Sequence, residues 1–368
     1  MKHKILNRKV DRGFFNLPVL KNQLREKHIV PPFSVLDARQ GYWQARKRLW
    51  LSLGIKSELG RGEMNPGSIG DKKHDPAATY QRKKKKPLSS PYTDRSPQIH
   101  SKGFNYFRDK ERKKKWVPEV NNKHKQLTNR IAPDGSNSDQ QTGISIFDPI
   151  LCELMYKWFC PEGGKILDPF AGGSVRGIVA GYSGFHYTGI DLSKQQIEAN
   201  RAQAKEILKE EENKVNWIEG DSADVKEIAE GKYDFIFSCP PYYNLEIYSD
   251  DPNDLSNAKS YKSFIKTYHK IIRDSLFFLK NNRFACFVVS NIRNKRGFYH
   301  NLVGDTIRGF QKQEFFLYND CILITRIGSL PIRVGQQFGK YRKIGKTHQN
   351  ILIFYKGDIK KIPKLFGE

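Results

Sequence analysis

Residues 165–191 read KILDPFAGGSVRGIVAGYSGFHYTGID, and this stretch decides the fold. Its apolar runs at 165–168 and 187–191 predict two buried strands, and residues 175–181 between them predict a helix. The tight turn DPFAGGS links the first strand to the helix, and its glycines allow backbone to approach a ligand closely. A strand, a helix and a strand in this order predict two parallel neighbours joined by a crossover.

The same alternation continues along the chain on both sides of this stretch. Upstream, Asp148 and Pro149 predict the first turn of a helix that ends before Gly163. Downstream, we predict strands at 215–221, 233–239, 284–291, 314–324 and 350–355, and helices at 194–212, 223–230, 261–279 and 299–311. The whole pattern predicts an α/β fold with a mostly parallel, seven-stranded sheet that helices cover on both faces.

The positive charge of the chain is concentrated before this region. The 368 residues carry a formal net charge of +25, and residues 1–140 hold 32 Lys and Arg against 13 Asp and Glu. Such asymmetry indicates a polyanionic partner, either nucleic acid or an anionic membrane surface, or else a solvated tail.

Composition divides the chain into three regions. Residues 1–60 form an N-terminal element, in which 35–53 predict an amphipathic helix with Trp43 and Trp50 on one docking face. Residues 61–143 are rich in Gly, Pro, Ser, Asn and Lys without any period, so we expect a flexible, basic, low-complexity segment. Its lysine run, with Lys83, Lys84 and Lys85, is a candidate nucleic-acid contact. Residues 144–368 form the α/β domain.

Cysteine usage and hydropathy narrow the class of protein further. The five cysteines are scattered and show no C-x-x-C spacing, so no metal site is predicted and a reducing compartment is the simpler interpretation. No run reaches the roughly 18 apolar residues of a membrane span, and the basic start is not followed by the apolar core of a signal peptide. We expect a soluble cytoplasmic protein without a membrane partner.

Acidic residues stand at the ends of three successive predicted strands, namely Asp168, Asp191 and Asp221. In parallel sheets ligands bind beyond the carboxyl ends of the strands. Each acid alone could be an ordinary helix cap, but together they describe a site for an adenosine with an amino-acid-like tail. Asp191 would accept from the ribose hydroxyls, Asp221 from the adenine amine, and Asp168 would pair with an ammonium. S-adenosylmethionine therefore fits better than a dinucleotide, whose pyrophosphate Asp168 would repel.

The fourth predicted strand ends in SCPPYY, residues 238–243. The exocyclic amine of adenine or cytosine is a poor nucleophile, and acceptors around its N–H bonds favour a more nucleophilic nitrogen in the transition state. Pro240 offers a carbonyl on a stiff backbone, and Tyr242 offers a face on which a base can stack. A base in a duplex must first be flipped out to reach such a turn.

Residues 144–356 resemble the amino-methylating DNA methyltransferases, whose signature pairs a D-P-F-x-G-x-G-like cofactor turn with a (D/N/S)-P-P-(Y/F) motif. Here the two read DPFAGGS and SCPPYY. The resemblance implies a Rossmann-like methyltransferase fold with a reversed terminal hairpin, in which 144–368 is the catalytic domain. Residues 30–62 resemble an N-terminal element of phage and prophage members, which implies the cytoplasm of a bacterial or phage-infected cell.

The resemblance also implies roles for individual residues. It makes S-adenosylmethionine the cofactor, with contacts from Asp148, Asp168, Phe170, Gly172, Gly173, Asp191 and Asp221; Asp148 belongs to the helix at 146–159, which resembles a further cofactor-contacting motif. The catalytic residues would be Cys239, Pro240, Pro241 and Tyr242.

Cys239 departs from the family pattern, since its position usually holds Asp, Asn or Ser. A thiol is a weak acceptor. Ser238 cannot replace it, because alternate side chains of a strand point to opposite faces. Three interpretations stay open: backbone carbonyls do most of the accepting, the methyl acceptor differs, or the site is weakened. Cytosine C5 methylation is disfavoured because its cysteine typically follows the proline, whereas Cys239 precedes both.

The nucleic-acid contacts are predicted around this turn and in residues 326–349. That segment holds Arg333, Lys340, Arg342 and Lys343 without an acidic residue, and we expect a flexible basic loop there that holds the nucleic-acid backbone. Tyr243 is a further candidate contact.

The leading hypothesis is a DNA methyltransferase that modifies adenine N6. Cytosine N4 of DNA, RNA and a protein glutamine are alternative acceptors, and a nucleic-acid-binding protein with a vestigial methyltransferase domain is an alternative of another class. The oligomeric state is not predicted.

Overall fold

The computed structural model describes residues 28–56, 147–245, 248–327 and 330–367, without the side chains of 332 and 333. These residues belong to one compact unit, formed by Met1–Met64 and Ile144–Glu368. The second unit, Asn65–Gly143, lies outside the described residues, and so do the predictions made for 61–143 and for Lys83, Lys84 and Lys85. The predicted domain boundaries therefore stay predictions.

One large sheet organises the described part of the chain. Its strands are β1 (Val35–Asp37), β2 (Lys165–Asp168), β3 (His186–Asp191), β4 (Val215–Glu219), β5 (Tyr233–Ser238), β6 (Leu279–Val289), β9 (Phe316–Ile324) and β10 (His348–Lys356). Two further strands, β7 (Ile292–Arg293) and β8 (Tyr299–His300), form a separate antiparallel pair. The order in the large sheet is β1-β9-β10-β6-β5-β2-β3-β4, and only β10 runs against its neighbours.

Helices cover both faces of this sheet. They are α1 (Gly41–Leu51), α2 (Pro149–Phe159), α3 (Val175–Tyr182), α4 (Lys194–Leu208), α5 (Val225–Ile228), α6 (Tyr261–Phe277), α7 (Leu302–Gln311), α8 (Leu330–Tyr341) and α9 (Ile362–Leu365). Two buried clusters result, one on each face, because successive strand residues point to opposite sides. In β2, for example, Ile166 joins one cluster and Leu167 the other. No helix in the described part is long and apolar enough to cross a membrane.

The order of the strands fixes where a ligand can bind. From β2 the chain moves outward through β3 to β4, then returns to β5 on the other side of β2 and moves away through β6. Crossovers that diverge from two neighbouring strands leave a crevice at their carboxyl ends. The turn after β2 is DPFAGGS and the turn after β5 is CPPYY, so the topology brings the two motifs together.

The predicted α/β class and the mostly parallel sheet with a reversed terminal strand are confirmed, but the sheet has eight strands instead of seven. The additional strand is β1, where we had predicted the first turns of a helix spanning 35–53. Val35–Asp37 pairs with Ile322–Ile324 of β9, because that strand would otherwise end the sheet with open backbone groups. The helix α1 begins only at Gly41.

The predicted docking face of the N-terminal helix is confirmed. Trp43 and Trp50 are both buried, and their indole nitrogens donate to Asp148 and Glu153 of the region around α2. Arg46 pairs with Glu153 as well, through two hydrogen bonds. The element thus attaches to the domain through apolar area and buried polar contacts together.

The predicted flexible loop at 326–349 was wrong, because it contains the helix α8. Leu330 and Val334 lie one turn apart on this helix, and the chain that returns from it passes close over both at Gly345. A Cβ atom added at Gly345 would lie 2.4 Å from Val334 and 3.0 Å from Leu330. The helix is therefore stabilised by its own return segment, which local glycine content does not reveal.

Candidate active site

A cavity of about 1210 Å³ lies at the carboxyl ends of the central strands. Sites for drug-sized molecules commonly measure about 300–1000 Å³, so this one can hold more than a single small ligand. Ten of the eleven residues predicted for catalysis or cofactor contact line it: Asp148, Phe170, Gly172, Gly173, Asp191, Asp221, Cys239, Pro240, Pro241 and Tyr242. The sequence therefore predicted the place and most of its lining.

The cofactor turn is held in shape from the end of β3. Gly172 has a positive φ of 52°, which a residue with a side chain rarely adopts. Its amide donates to Asp191 Oδ2 at 2.8 Å, and the Ser193 amide donates to Oδ1 of the same carboxylate at 2.9 Å. Burial raises the pKa of Asp191, while these amide hydrogen bonds act in the opposite direction. Asp191 thus joins the two strand ends and also faces the cavity.

Asp168 is the one predicted residue that does not line the cavity. Its carboxylate is fully buried and accepts four hydrogen bonds, from the Phe170 amide at 3.1 Å, Arg176 Nε at 2.5 Å, Tyr187 Oη at 2.8 Å and Ser238 Oγ at 2.5 Å. The geometry does not support the predicted contact with an ammonium, because every donor comes from the protein itself. Ser238 points away from the cavity, as predicted.

Arg176 was missed from the sequence, where it looks like any helix residue. Beyond Asp168, its guanidinium donates to the carbonyls of Phe170 and Ala171, the latter at 2.8 Å, and lies 4.6 Å from the Phe147 ring centroid. Burial alone would lower the pKa of Arg176, but the Asp168 carboxylate raises it, so the guanidinium stays charged. The pair anchors the cofactor turn to the α3 helix.

The turn after β5 presents Tyr242 to the cavity with its hydroxyl fixed. Gln349 Nε2 of β10 donates to Tyr242 Oη at 2.9 Å, and Cys239 Sγ lies 3.7 Å from the same oxygen. Burial raises the pKa of Tyr242 well above its usual range, and the neighbouring Cys239 acts in the same direction, so the phenol stays neutral. Pro240 is buried beside it, whereas Pro241 and Tyr242 are half-buried. Gln349 carries no sequence signal for this role.

Asp221 follows β4 and lines the opposite part of the cavity. Its Oδ1 accepts from the Ala223 amide at 2.8 Å and starts a short 3-10 turn. Burial raises the pKa of Asp221. The residue therefore combines the helix-cap role with exposure to the cavity, two interpretations that the sequence alone could not separate.

Of the predicted nucleic-acid residues whose side chains the structure describes, none lines the cavity. Tyr243 has a φ of 51°, and its ring packs against Tyr261, Phe264 and His300 at centroid distances of 5.7, 5.5 and 5.8 Å. This packing makes Tyr243 an anchor of the turn.

The basic residues of the α8 region lie at the surface. Lys340 and Arg342 are exposed and Lys343 is half-buried; each cation lies 5.1–5.4 Å from the ring centroid of Phe338 or Tyr341. The side chain of Arg333 lies outside the described residues.

Basic side chains also line the cavity itself, and two of them, Arg326 and Lys346, belong to the segment 326–349 in which nucleic-acid contacts are predicted. They are Lys47, Arg176, Arg293, Arg326 and Lys346, together with His348, whose pKa burial lowers. The first comes from the N-terminal element, which also contributes Ala38 and Gln44 to the lining. The same lining contains five aspartates, Asp148, Asp191, Asp221, Asp251 and Asp254, so the cavity wall carries charges of both signs from several separate segments.

Comparison with known proteins places the chain in a family. The family model described as the Eco57I restriction-modification methylase matches residues 39–313, which is most of the chain. No curated protein sequence matches the chain significantly.

Solved structures are similar at low sequence identity. TrmN from Thermus thermophilus aligns with a TM-score of 0.41 and 13% identity, over 62% of this chain and 53% of that chain. The chain therefore spans about half the length of TrmN. A methyltransferase from Pyrococcus furiosus aligns with a TM-score of 0.37 and 16% identity, over 67% of this chain and 100% of that chain. Magnesium protoporphyrin IX methyltransferase (ChlM) from Synechocystis PCC 6803 with bound SAM aligns with a TM-score of 0.38 and 16% identity, over 66% of this chain and 97% of that chain.

The matched range contains both turns of the cavity, residues 168–174 after β2 and residues 238–243 after β5. The chain belongs to the Eco57I restriction-modification methylase family.

Proposed function

We propose that the chain methylates the exocyclic amine of a base flipped out of DNA, with adenine N6 as the target. The observation that carries this proposal is the shared cavity, in which the turn after β2 and the turn after β5 face one another at the switch point of the sheet. One turn has the features of a cofactor site and the other those of a base clamp. A methyl donor and a planar amine would therefore meet between them.

The residues on the first side of the cavity fit S-adenosylmethionine. When bound, this cofactor supplies an electrophilic methyl group on a sulfonium. Asp191 already accepts one amide on each oxygen, and each oxygen keeps a second lone pair with which it can accept from a ribose hydroxyl. Asp221 can accept from the adenine amine, and Gly172 and Gly173 let backbone approach the ligand. Asp168 is buried and stabilises the turn from the protein interior, so it does not contact the ligand.

The residues on the second side fit a base whose amine must be activated. The Pro240 carbonyl is an acceptor on a stiff, buried backbone, and the Tyr242 ring is fixed by Gln349 so that it can stack on the base. Among the three interpretations of Cys239, backbone carbonyls as the main acceptors agree best with this geometry, because the thiol contacts the Tyr242 hydroxyl at 3.7 Å. Positioning of the amine against the methyl group then supplies much of the acceleration.

The positive charge of the chain supports DNA as the substrate, and the volume of the cavity supports adenine as the target base. The chain carries a formal net charge of +25, which suits a polyanionic substrate, and cations from several segments lie among the five aspartates of the cavity lining. The cavity volume of about 1210 Å³ leaves space for a two-ring base beside the cofactor. The phage or prophage origin implied by residues 30–62 stays a prediction.

The test is transfer of labelled methyl groups from S-adenosylmethionine to unmodified DNA, followed by nucleoside analysis. We expect N6-methyladenine, and we expect Tyr242→Ala to lose on the order of ten- to a thousandfold in rate, as single electrostatic or positioning groups do in other sites. Detection of N4-methylcytosine would show that the target base is cytosine instead of adenine. Label that appears in RNA or in a protein glutamine would show that the acceptor is not DNA. Salt-sensitive DNA binding by folded, cofactor-bound protein without any turnover would refute the enzymatic proposal.

A further inference from the structure

The N-terminal element contributes a lysine to the cofactor side of the cavity. Lys47 of α1 lines the cavity, and its Nζ lies 3.5 Å from Oδ2 of Asp148, which lines the cavity as well. Both side chains retain some exposure, 20% for Lys47 and 15% for Asp148. Trp43 Nε1 donates to both carboxylate oxygens of Asp148 at 3.2 Å, which holds the acid in place. The cavity wall therefore carries one cation and one anion side by side.

This pair lies next to the cofactor turn. Asp148 Oδ1 accepts from the Ile150 amide at 3.0 Å and so begins α2, directly after Phe147. The Phe147 ring lies 4.6 Å from the Arg176 guanidinium, which in turn donates to the carbonyls of the turn. Tyr156 of α2 donates to the Arg176 carbonyl at 2.9 Å, which fixes the two helices relative to each other.

The methionine end of the cofactor demands such a pair. Its ammonium and carboxylate sit on one carbon atom, so a fitting site places an anion and a cation within a few ångströms of each other. Asp168 cannot supply the anion, because it is buried behind the cavity wall and holds four protein donors. Arg176 cannot supply the cation without giving up Asp168 and the two turn carbonyls.

We propose that Lys47 binds the carboxylate of the cofactor's methionine part while Asp148 binds its ammonium, so that the N-terminal element completes the cofactor site. The proposal rests on the cofactor of the proposed function and is independent of the DNA target. It assigns to α1, which precedes the α/β domain, a residue that selects for the intact amino-acid tail.

The test is direct binding by calorimetry of three ligands to the full chain. S-adenosylmethionine has both charges of the tail, its decarboxylated analogue keeps only the amine, and 5′-methylthioadenosine lacks the tail. We expect Lys47→Met to weaken S-adenosylmethionine roughly ten- to a hundredfold, as for loss of one charged hydrogen bond, and to leave the two other ligands unchanged. Lys47→Arg should recover most of the loss.

Two further variants separate recognition from folding. Arg48→Met removes the same charge from the next residue of α1, which is exposed and does not line the cavity, and we expect no effect on any ligand. Asp148→Asn keeps a good N-cap and should weaken both ligands that carry the amine, but not 5′-methylthioadenosine.

Equal weakening of all three ligands by Lys47→Met would overturn the proposal in favour of a structural role, and so would unchanged affinity for S-adenosylmethionine. A wild-type protein that binds S-adenosylmethionine but methylates no DNA would refute the proposed target. The binding affinities of wild type and Lys47→Met for the three ligands would still test the role of Lys47.

Discussion

Replacing Arg176 by Met tests whether the cofactor turn is held by a buried ion pair. Arg176 and Asp168 side chains are 6% and 0% exposed, so the substitution leaves the Asp168 carboxylate in the protein interior without its counter-charge. Removing one partner of a buried pair costs about 3–5 kcal/mol. Loss of the hydrogen bonds to the Phe170 and Ala171 carbonyls acts in the same direction, at about 1 kcal/mol each. We therefore expect the free energy of unfolding to fall by at least about 4 kcal/mol, a large share of the roughly 5–15 kcal/mol of a typical domain.

The assay is urea denaturation followed by tryptophan fluorescence, and Lys214→Met provides the matched control. Lys214 pairs with Glu211 at the surface, where the two side chains are 29% and 46% exposed, and such pairs contribute about 0–1 kcal/mol. Adding Asp168→Asn to Arg176→Met should recover part of the loss, since the amide carries no charge. If Arg176→Met costs no more than Lys214→Met, the pair is not a buried anchor and the interpretation of Asp168 as a structural residue fails.

Three further outcomes follow from the cavity. Gln349→Leu removes the hydrogen bond that fixes Tyr242, so kcat/KM for the proposed DNA substrate should fall about two- to tenfold, while the Kd for S-adenosylmethionine, measured by calorimetry, stays unchanged. A change in that Kd alone would contradict the assignment. Burial raises the pKa of Asp191, and protonation removes part of its capacity to accept from the two ribose hydroxyls, so cofactor affinity should fall on acidification as the pH falls through that raised pKa. Affinity that rises on acidification would refute this role, and Asp191→Asn should weaken the dependence. If backbone carbonyls are the main acceptors, Cys239→Ala should keep activity within about tenfold of wild type, and Cys239→Ser should match or exceed wild type. A loss as large as that of Tyr242→Ala would show that the thiol is essential.

Local pattern predicted those parts of the fold in which local and tertiary forces agree. The strand at Lys165–Asp168 was predicted with its observed bounds, because Ile166 and Leu167 are apolar and buried and the Gly-rich turn ends it. The helix cap at Asp148 was predicted because a short carboxylate before proline satisfies an amide that the helix leaves open.

The missed features depend on partners far along the chain. Lys47 pairs with Asp148, about a hundred residues away, and Gln349 reaches Tyr242 across a separation of 107 residues. The strand β1 pairs with β9, which is far along the chain. The hydrophobic periodicity of the sequence around either partner does not indicate such a contact. The role of Asp168 could not be predicted for the same reason, since its burial depends on Arg176 and on Ser238 of another strand.

The pairing of β1 with β9 also sets the order of events during synthesis. Val35–Asp37 cannot pair until Phe316–Ile324 has left the ribosome, so the first strand of the sheet waits for one of the last. Such distant pairings make folding slow, because the closing of a long loop precedes any gain in contact energy. The helix α1 does not wait for this strand, because its partners Asp148 and Glu153 are made long before β9. The N-terminal element therefore docks its helix first and pairs its strand last.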